Sequence, residues 1–279
     1  MKAMILAAGL GTRLRTFGVT EVIVNVHHFA DMVTDYLKSH KNFGLRIEIS
    51  REEVLLDTGG GLKKTAWFFL EDPSRLEEPF VLHNVDVIST IDLRAMLQFH
   101  SENHALATLA VQSRETSRPL LFDDHHQLRG RRIHGKDTLI PILPNTVISS
   151  EARPLPLCAS PAQRNLSSSQ SRDASPSPET TNNCHSERSD ESAFSSDSPL
   201  ATRHSPLPLA FSGIHIISPR LLPMLTEVGI FSIIPSYLRL SAEGQKILAF
   251  RADQYYWRDL GRPSDLIQAA LDLRQGAVP

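Results

Sequence analysis

Four short segments of this chain carry residue types and spacings that could do chemistry. The first is Gly9-Leu10-Gly11-Thr12-Arg13. Glycines let a backbone approach a phosphate closely and turn its N–H groups toward it. Arg13 adds a forked, permanently charged partner for phosphate oxygens. The segment lacks the Gly-Lys-Ser/Thr ending of a P-loop and the third glycine of a dinucleotide fingerprint. By spacing alone it reads equally well as a tight strand-to-helix turn. The second is Asp57-Thr58-Gly59-Gly60-Gly61-Leu62-Lys63-Lys64. Asp57 or Thr58 can cap a helix there, but three successive glycines exceed what a cap needs. They leave a bare backbone surface on which a flat base could rest. The third is Asn84-Val85-Asp86, which by itself is ordinary turn chemistry. The fourth is Trp257-Arg258-Asp259-Leu260-Gly261, where Trp257 reads as core and Asp259 as a cap for the last helix. His27, His28, His83, His125 and His126 show no ligand pattern and read as solvent-facing or structural.

These segments need a scaffold, and the hydrophobic pattern supplies one. Residues 4–8 form a continuous apolar run ending in glycine, as a central parallel strand does. Residues 21–26, 80–82, 107–111, 210–217 and 247–250 also read as strands, and residues 45–49 alternate as a strand nearer an edge does. Helices are expected over 30–37, with Asp31 in the first turn, and over 62–70, entered through the three glycines. Further helices are expected around Leu93, Met96, Leu97 and His100 after a cap at Asp92, over 233–240 before Gly244, and after Pro263. Strand and helix alternate, which predicts an α/β fold with a mostly parallel sheet and helices on both faces. In such sheets ligands bind beyond the carboxyl ends of the strands, near the point where strand order reverses. Both the glycine-rich loop and Asn84-Val85-Asp86 follow expected strands, so one crevice can hold both.

Composition narrows the class. Hydrophobic residues make up 41% of 279, enough for a sizeable core, and the formal net charge is −2. No global field therefore recruits nucleic acid or an anionic membrane. Cys158 and Cys184 lack short-spaced metal partners and are too few for a disulfide framework. No apolar stretch approaches the roughly 20 residues that span a bilayer, and the first residues read as a buried strand rather than a signal peptide. A cytoplasmic protein is the expectation. Residues 149–207 are dense in Ser, Pro, Asn and Arg. They cannot bury enough surface to offset the entropy of ordering and are expected to be a disordered insert. Residues 1–148 and 208–279 then form the two parts of one domain.

The string Met1-Lys2-Ala3-Met4-Ile5-Leu6-Ala7-Ala8-Gly9-Leu10-Gly11-Thr12-Arg13-Leu14 closely resembles the opening of sugar-1-phosphate nucleotidyltransferases. The other segments resemble later motifs of that family and occur in family order. The resemblance implies the Rossmann-like nucleotide-diphospho-sugar transferase fold. It implies that Ala8, Gly9, Gly11, Thr12 and Arg13 wrap the triphosphate of an NTP, and that Gly59 and Gly60 contact its base. It implies that Asp86 and Asp259 hold Mg²⁺, a cation suited to hard oxygen ligands. Asn84 would lie near the sugar, as would Gly213 in the strand-like Phe211-Ser212-Gly213-Ile214-His215. The implied reaction joins an NTP and a sugar 1-phosphate to give an NDP-sugar and pyrophosphate, with Arg13, Asp86 and Asp259 as its catalytic residues.

The chain also departs from the family pattern. After Arg15 the family continues with a Pro-Leu-Thr segment, a Pro-Lys motif and a helix, whereas here Thr16-Phe17-Gly18 leads straight to Val19-Thr20-Glu21. The phosphate-binding lysine has no counterpart. The fold is thus expected to be incomplete near the N-terminus, with part of one sheet face uncovered. An enzyme and a catalytically impaired nucleotide- or sugar-phosphate-binding protein derived from one both fit. A glycosyltransferase of related fold would use Asp86 but has no need of the N-terminal loop.

Overall fold

The computed structural model describes residues 1–6, 17–133, 135–140 and 205–276. The glycine-rich loop and nearly all of the Ser/Pro-rich stretch lie outside the described residues. Ten strands form one mixed sheet. The run β1 (Lys2–Leu6), β2 (Glu21–Val26), β3 (Arg46–Arg51) and β4 (Phe80–Asn84) is parallel, in the spatial order β3-β2-β1-β4. β3 is an edge, as its alternating pattern predicts. β6 (Ala107–Gln112) and β11 (Ile247–Arg251) are parallel to each other. Between these groups lies β10 (Leu207–Ile217), antiparallel to both β4 and β6, so that six strands point the same way around one reversed strand. β7 (Leu120–Phe122), β8 (Leu128–Ile133) and β9 (Lys136–Leu139) extend β10 as antiparallel strands that the sequence pattern did not single out. A separate pair joins β5 (Val87–Ser89) to β12 (Trp257–Asp259).

Each face of the sheet has its own core. On one side Met4, Ile23, Phe80 and Leu82 pack with Leu62 of α2 (Asp57–Lys64), Phe68 and Phe69 of α3 (Ala66–Leu70), and Ile233, Tyr237 and Leu240 of α5 (Ile233–Ala242). On the other, Ala3, Ile5, Val22, Val24 and Val81 pack with Leu37 of α1 (Ala30–Ser39) and with Leu93 and Met96 of α4 (Leu93–Glu102). The single helix expected over 62–70 is two. The break is at Thr65, whose buried hydroxyl donates back to the carbonyls of Gly61 and Leu62 and so competes with the backbone ladder. The expected cap at Asp92 is present, its carboxylate accepting from the N–H groups of Arg94 and Ala95. α6 (Pro263–Arg274) starts with its proline in the first turn. Leu207 pairs with Phe122, so β10 begins one residue before the expected boundary of the insert.

β1 and β2 are neighbours although only residues 7–20 connect them. The expected uncovered patch on the sheet is not seen at the described positions. Ala3, Ile5, Val22 and Val24 are all buried, with Phe17 and Val19 packed in the same cluster. Exposure falls instead on α1 and the residue before it: Phe29 is 75% and Met32 68% exposed, with Tyr36 one turn further along. Phe29 also sits at φ 55°, a left-handed conformation that costs a bulky residue about 1 kcal/mol.

The two sites should respond oppositely to substitution. Phe29→Asn should raise unfolding stability by about 0.5 kcal/mol, because asparagine tolerates this backbone and no core contact is lost. Met96→Ala, from a fully buried site, should lower it by about 2–5 kcal/mol. Urea titrations of the two variants read both values.

Candidate active site

β1, β2 and β3 step in one direction across the sheet, and the chain then returns past β1 to form β4. The order therefore reverses between β1 and β4, where a ligand crevice is expected. Leu6, the last residue of β1, is in register with Asn25 on one side and Asn84 on the other, and the N–H of Val85 donates to its carbonyl (3.2 Å). Leu6, the last described residue before the glycine-rich segment, thus lies directly beside Asn84 and Val85. Ala8, Gly9, Gly11, Thr12 and Arg13 themselves lie outside the described residues.

Asp86 follows β4, and Asp259 ends β12. β12 pairs with β5 so that Asp259 is opposite Val87, and the N–H of Leu260 donates to the Asp86 carbonyl (2.6 Å). A side chain built on Gly261 would have its Cβ 3.0 Å from Asp259 Oδ1 and 3.8 Å from Asp86 Oδ2. Those two oxygens are therefore at most about 7 Å apart, across a gap that Gly261 keeps open. Both residues are exposed to solvent. The Asp86 carboxyl is raised above the ordinary aspartate value, first by partial desolvation and then by the charge of Asp259. Asp259 does not cap α6: its carboxylate accepts from the N–H of Gly261 (2.7 Å), and α6 begins with no side-chain cap. Two convergent carboxylates at an open mouth are a donor set that fits Mg²⁺, which takes one or two carboxylates and completes its shell with substrate phosphates and water. No cluster of three or more His, Cys, Asp or Glu occurs among the described residues.

Asn84 and Gly213 are also brought together. Gly213 has φ +74°, and a Cβ there would stand 3.1 Å from Asn84 Nδ2. Only glycine gives the kinked β10 both this backbone and this close approach. Between Phe211 and His215, four steps along β10 span two along β6, and this irregularity sets Ser212 and Gly213 against the end of β4. Asn84 Oδ1 and Ser212 Oγ are buried without a hydrogen-bond partner.

The triglycine is packed against a neighbouring loop. Gly59, Gly60 and Gly61 are buried inside α2, and none leaves a bare surface on its side-chain side. A Cβ on Gly59 would meet Phe231 at 2.4 Å, one on Gly60 the Gly229 carbonyl oxygen at 2.6 Å, and one on Gly61 Asn25 Nδ2 at 2.4 Å. The N–H groups of Gly59 and Gly60 donate to the Phe231 carbonyl. Close packing of helix against loop accounts for the absence of side chains at these positions. The signal in the sequence was ambiguous because both uses demand the same small residue.

The histidines are structural or exposed, as expected. His125 and His126 face solvent, and His83 hydrogen-bonds the Asn84 carbonyl through Nδ1 (2.6 Å). His215, fully buried, bonds the Tyr237 hydroxyl (2.8 Å), and burial together with nearby His83 pushes its pKa down to about 3. It is a neutral core residue. The sequence reading missed Arg114, whose guanidinium lies 3.8 Å over the ring of Trp257 and donates through Nη2 to the Phe211 carbonyl (2.7 Å). Trp257 in turn donates to the Ser212 carbonyl (2.7 Å). No local motif marks such a residue, since its partners are over 90 positions away.

Residues 15–120 match the family model described as nucleotidyl transferase. Over that stretch, 106 of 279 residues, the chain is similar to that family. The matched stretch begins just after the glycine-rich loop and includes Asn84, Asp86 and Arg114. The chain is 30% identical over 151 positions to a UTP–glucose-1-phosphate uridylyltransferase of Synechocystis sp., covering 40% of this chain and 37% of that protein. It is 31% identical over 139 positions to mannose-1-phosphate guanyltransferase beta-B of Xenopus laevis, covering 40% of this chain and 38% of the relative. The chain thus spans less than two-fifths of the length of either relative. Since 40% of 279 residues is about 112, the 139 aligned positions include about 27 at which the Xenopus protein has residues and this chain has none. The fold is that of UDP-glucose pyrophosphorylase solved with UDP-glucose: TM-score 0.59 at 13% identity, covering 99% of this chain and 98% of that one.

The geometry sets two expectations. Asp86→Asn should raise the melting midpoint at pH 7 by about 1–2 °C, because it removes a like-charge contact that is partly screened by solvent. The sign follows from the raised pKa: the stabilising, protonated form prevails at low pH and its benefit fades as pH rises through the folded value, so wild type and variant should converge in acid. Gly60→Ala should lower unfolding stability by about 1–3 kcal/mol through overpacking against Gly229, with or without nucleotide, as calorimetry of both states reads.

Proposed function

We propose that this chain is a Mg²⁺-dependent sugar-1-phosphate nucleotidyltransferase, joining an NTP and a sugar 1-phosphate into an NDP-sugar and releasing pyrophosphate. The observation that carries the reading is the convergence of Asp86 and Asp259 on one open point, beside Asn84 and Gly213, at the carboxyl edge where strand order reverses. The relatives, named as a glucose-1-phosphate uridylyltransferase and a mannose-1-phosphate guanyltransferase, support it.

In this reading Gly9, Gly11, Thr12 and Arg13, with Ala8, cradle the triphosphate where the loop leaves β1. Asp86 and Asp259 hold Mg²⁺, which when bound neutralises charge on the phosphates. Asn84 and the backbone at Gly213 seat the sugar. An oxygen of the sugar 1-phosphate attacks the α-phosphorus of the NTP, and the bond to pyrophosphate breaks. The attacking phosphate is ionised near neutral pH, so the chain needs no general base. Its own contribution is alignment and fixed charge. Gly59 and Gly60, packed against Phe231 and Gly229 on their side-chain side, contact the base through backbone that this packing leaves unused.

The test measures pyrophosphate release from a panel of NTPs with glucose 1-phosphate or mannose 1-phosphate and Mg²⁺. Release by wild type that falls at least about 100-fold in Asp86→Ala is expected. Mg²⁺-dependent NTP binding without any release would replace the enzyme by a nucleotide-binding protein derived from one, the reading to which the roughly 27 missing positions point. Absence of NTP binding would sink both.

A further inference from the structure

Ser212, Asn84 and Arg114 share a property that the carboxylate pair does not explain. Each presents a buried polar atom without a hydrogen-bond partner: Ser212 Oγ, Asn84 Oδ1 and Arg114 Nε. A buried donor or acceptor left unpaired costs about 1–3 kcal/mol. Such groups call for an explanation, and completion by a bound ligand is one. All three belong to one neighbourhood. Ser212 precedes Gly213, which touches Asn84. Phe211 and Ser212 give their carbonyls to Arg114 and to Trp257 respectively, and Arg114 stacks on Trp257.

Arg114 lies just beyond the carboxyl end of β6, the same edge of the sheet that carries Asp86. It is half-buried and feels the charge of Asp259. Its guanidinium is held from two directions, by the ring of Trp257 beneath it and by the Phe211 carbonyl at Nη2, so its orientation is fixed before any ligand arrives. A preorganised, partly desolvated guanidinium with an unused donor binds an anionic oxygen more strongly than a mobile surface cation does. A planar fork suits phosphate. The neighbouring unpaired groups, a hydroxyl and an amide carbonyl, suit sugar hydroxyls, which both donate and accept.

We infer that Arg114 binds the phosphate of the acceptor sugar 1-phosphate, that Ser212 and Asn84 receive its sugar hydroxyls, and that Trp257 is a positioning residue that holds the Arg114 guanidinium. This inference rests on the nucleotidyltransferase reading and assigns its acceptor side. It makes the stacked Trp257, read from sequence as core, part of the acceptor site's framework. The nucleotide side depends on other residues, so acceptor and NTP affinities are separable.

Calorimetric titration tests this on the full chain with Mg²⁺ present. Glucose 1-phosphate and mannose 1-phosphate are titrated, with the free sugars and inorganic phosphate as comparators, and the NTP panel is titrated separately. Arg114→Gln should weaken the better sugar 1-phosphate by at least about tenfold, leave NTP affinity within twofold of wild type, and keep the melting midpoint. Arg114→Lys, which keeps the charge and loses the fork, should recover part of the loss. Trp257→Phe should give an intermediate loss confined to the sugar 1-phosphate. Unchanged sugar 1-phosphate affinity in a folded Arg114→Gln variant overturns the inference. So does an equal loss of NTP affinity, which would make Arg114 a general structural prop. If wild type binds neither NTP nor sugar 1-phosphate, the underlying functional reading fails first, and that outcome is distinguishable from both.

Discussion

The sheet depends on one reversed strand. Among the described strands, β10 alone joins the group β1–β4 to β6 and β11, through antiparallel ladders on its two edges. Without it the chain would hold two smaller parallel sheets, each with an open edge and half a core. β10 comes from the part of the chain beyond the Ser/Pro-rich stretch, so the first half of the sequence cannot close its own sheet. The residues from Leu207 onward must return to the centre of the molecule. Ile214 and Ile216 then fill the core on one face, while Leu209 and Ile217 fill it on the other.

The same strand builds the site. A straight β10 would pass the end of β4 at ordinary strand spacing. The irregularity between Phe211 and His215, with Gly213 at positive φ, brings backbone close to Asn84 and presents the Phe211 and Ser212 carbonyls to Arg114 and Trp257. β12, which carries Trp257 and Asp259, is thereby tied both to β5 and to the kink. Residues near positions 84, 114, 212 and 258 meet because one strand bends where it does. The glycine is required at 213 for conformation and at 261 for space, and in both cases the consequence is room beside an acidic or amide side chain.

Much of this frame was legible because apolar runs and helical spacing are local signals. The strand at 21–26, the edge character of β3, the cap at Asp92 and the proline start of α6 all follow from neighbouring residues. The pairing of Asp86 with Asp259 and of Asn84 with Gly213 was implied by family resemblance, and the geometry brings each pair together. What local pattern could not show was long-range. β7 is only three residues long and β8 and β9 are mostly polar, and they exist as partners for one another and for β10. Arg114 gains its meaning from a ring at 257 and a carbonyl at 211. The triglycine illustrates the converse, a conspicuous local motif whose reason is a distant packing partner at Gly229 and Phe231.

The connection between β1 and β2 is short. Only residues 7–20 connect β1 to β2, few for a helical crossover between parallel strands. Yet β1 keeps its register with both β2 and β4, and the inward residues of both strands stay covered. Burial of the sheet is the stronger constraint: at roughly 25 cal/mol per Å², exposing its apolar side chains would cost more than the solvated face of one helix. The chain therefore leaves Phe29, Met32 and Tyr36 exposed and keeps the strands dry. The carboxyl edge near Asn84, Asp86, Gly213 and Asp259 is built from β4, β10 and β12, none of which touches the shortened connection in sequence. The described carboxyl edge, with Asp86 and Asp259 converging and Gly213 against Asn84, thus keeps its geometry beside a short β1–β2 connection.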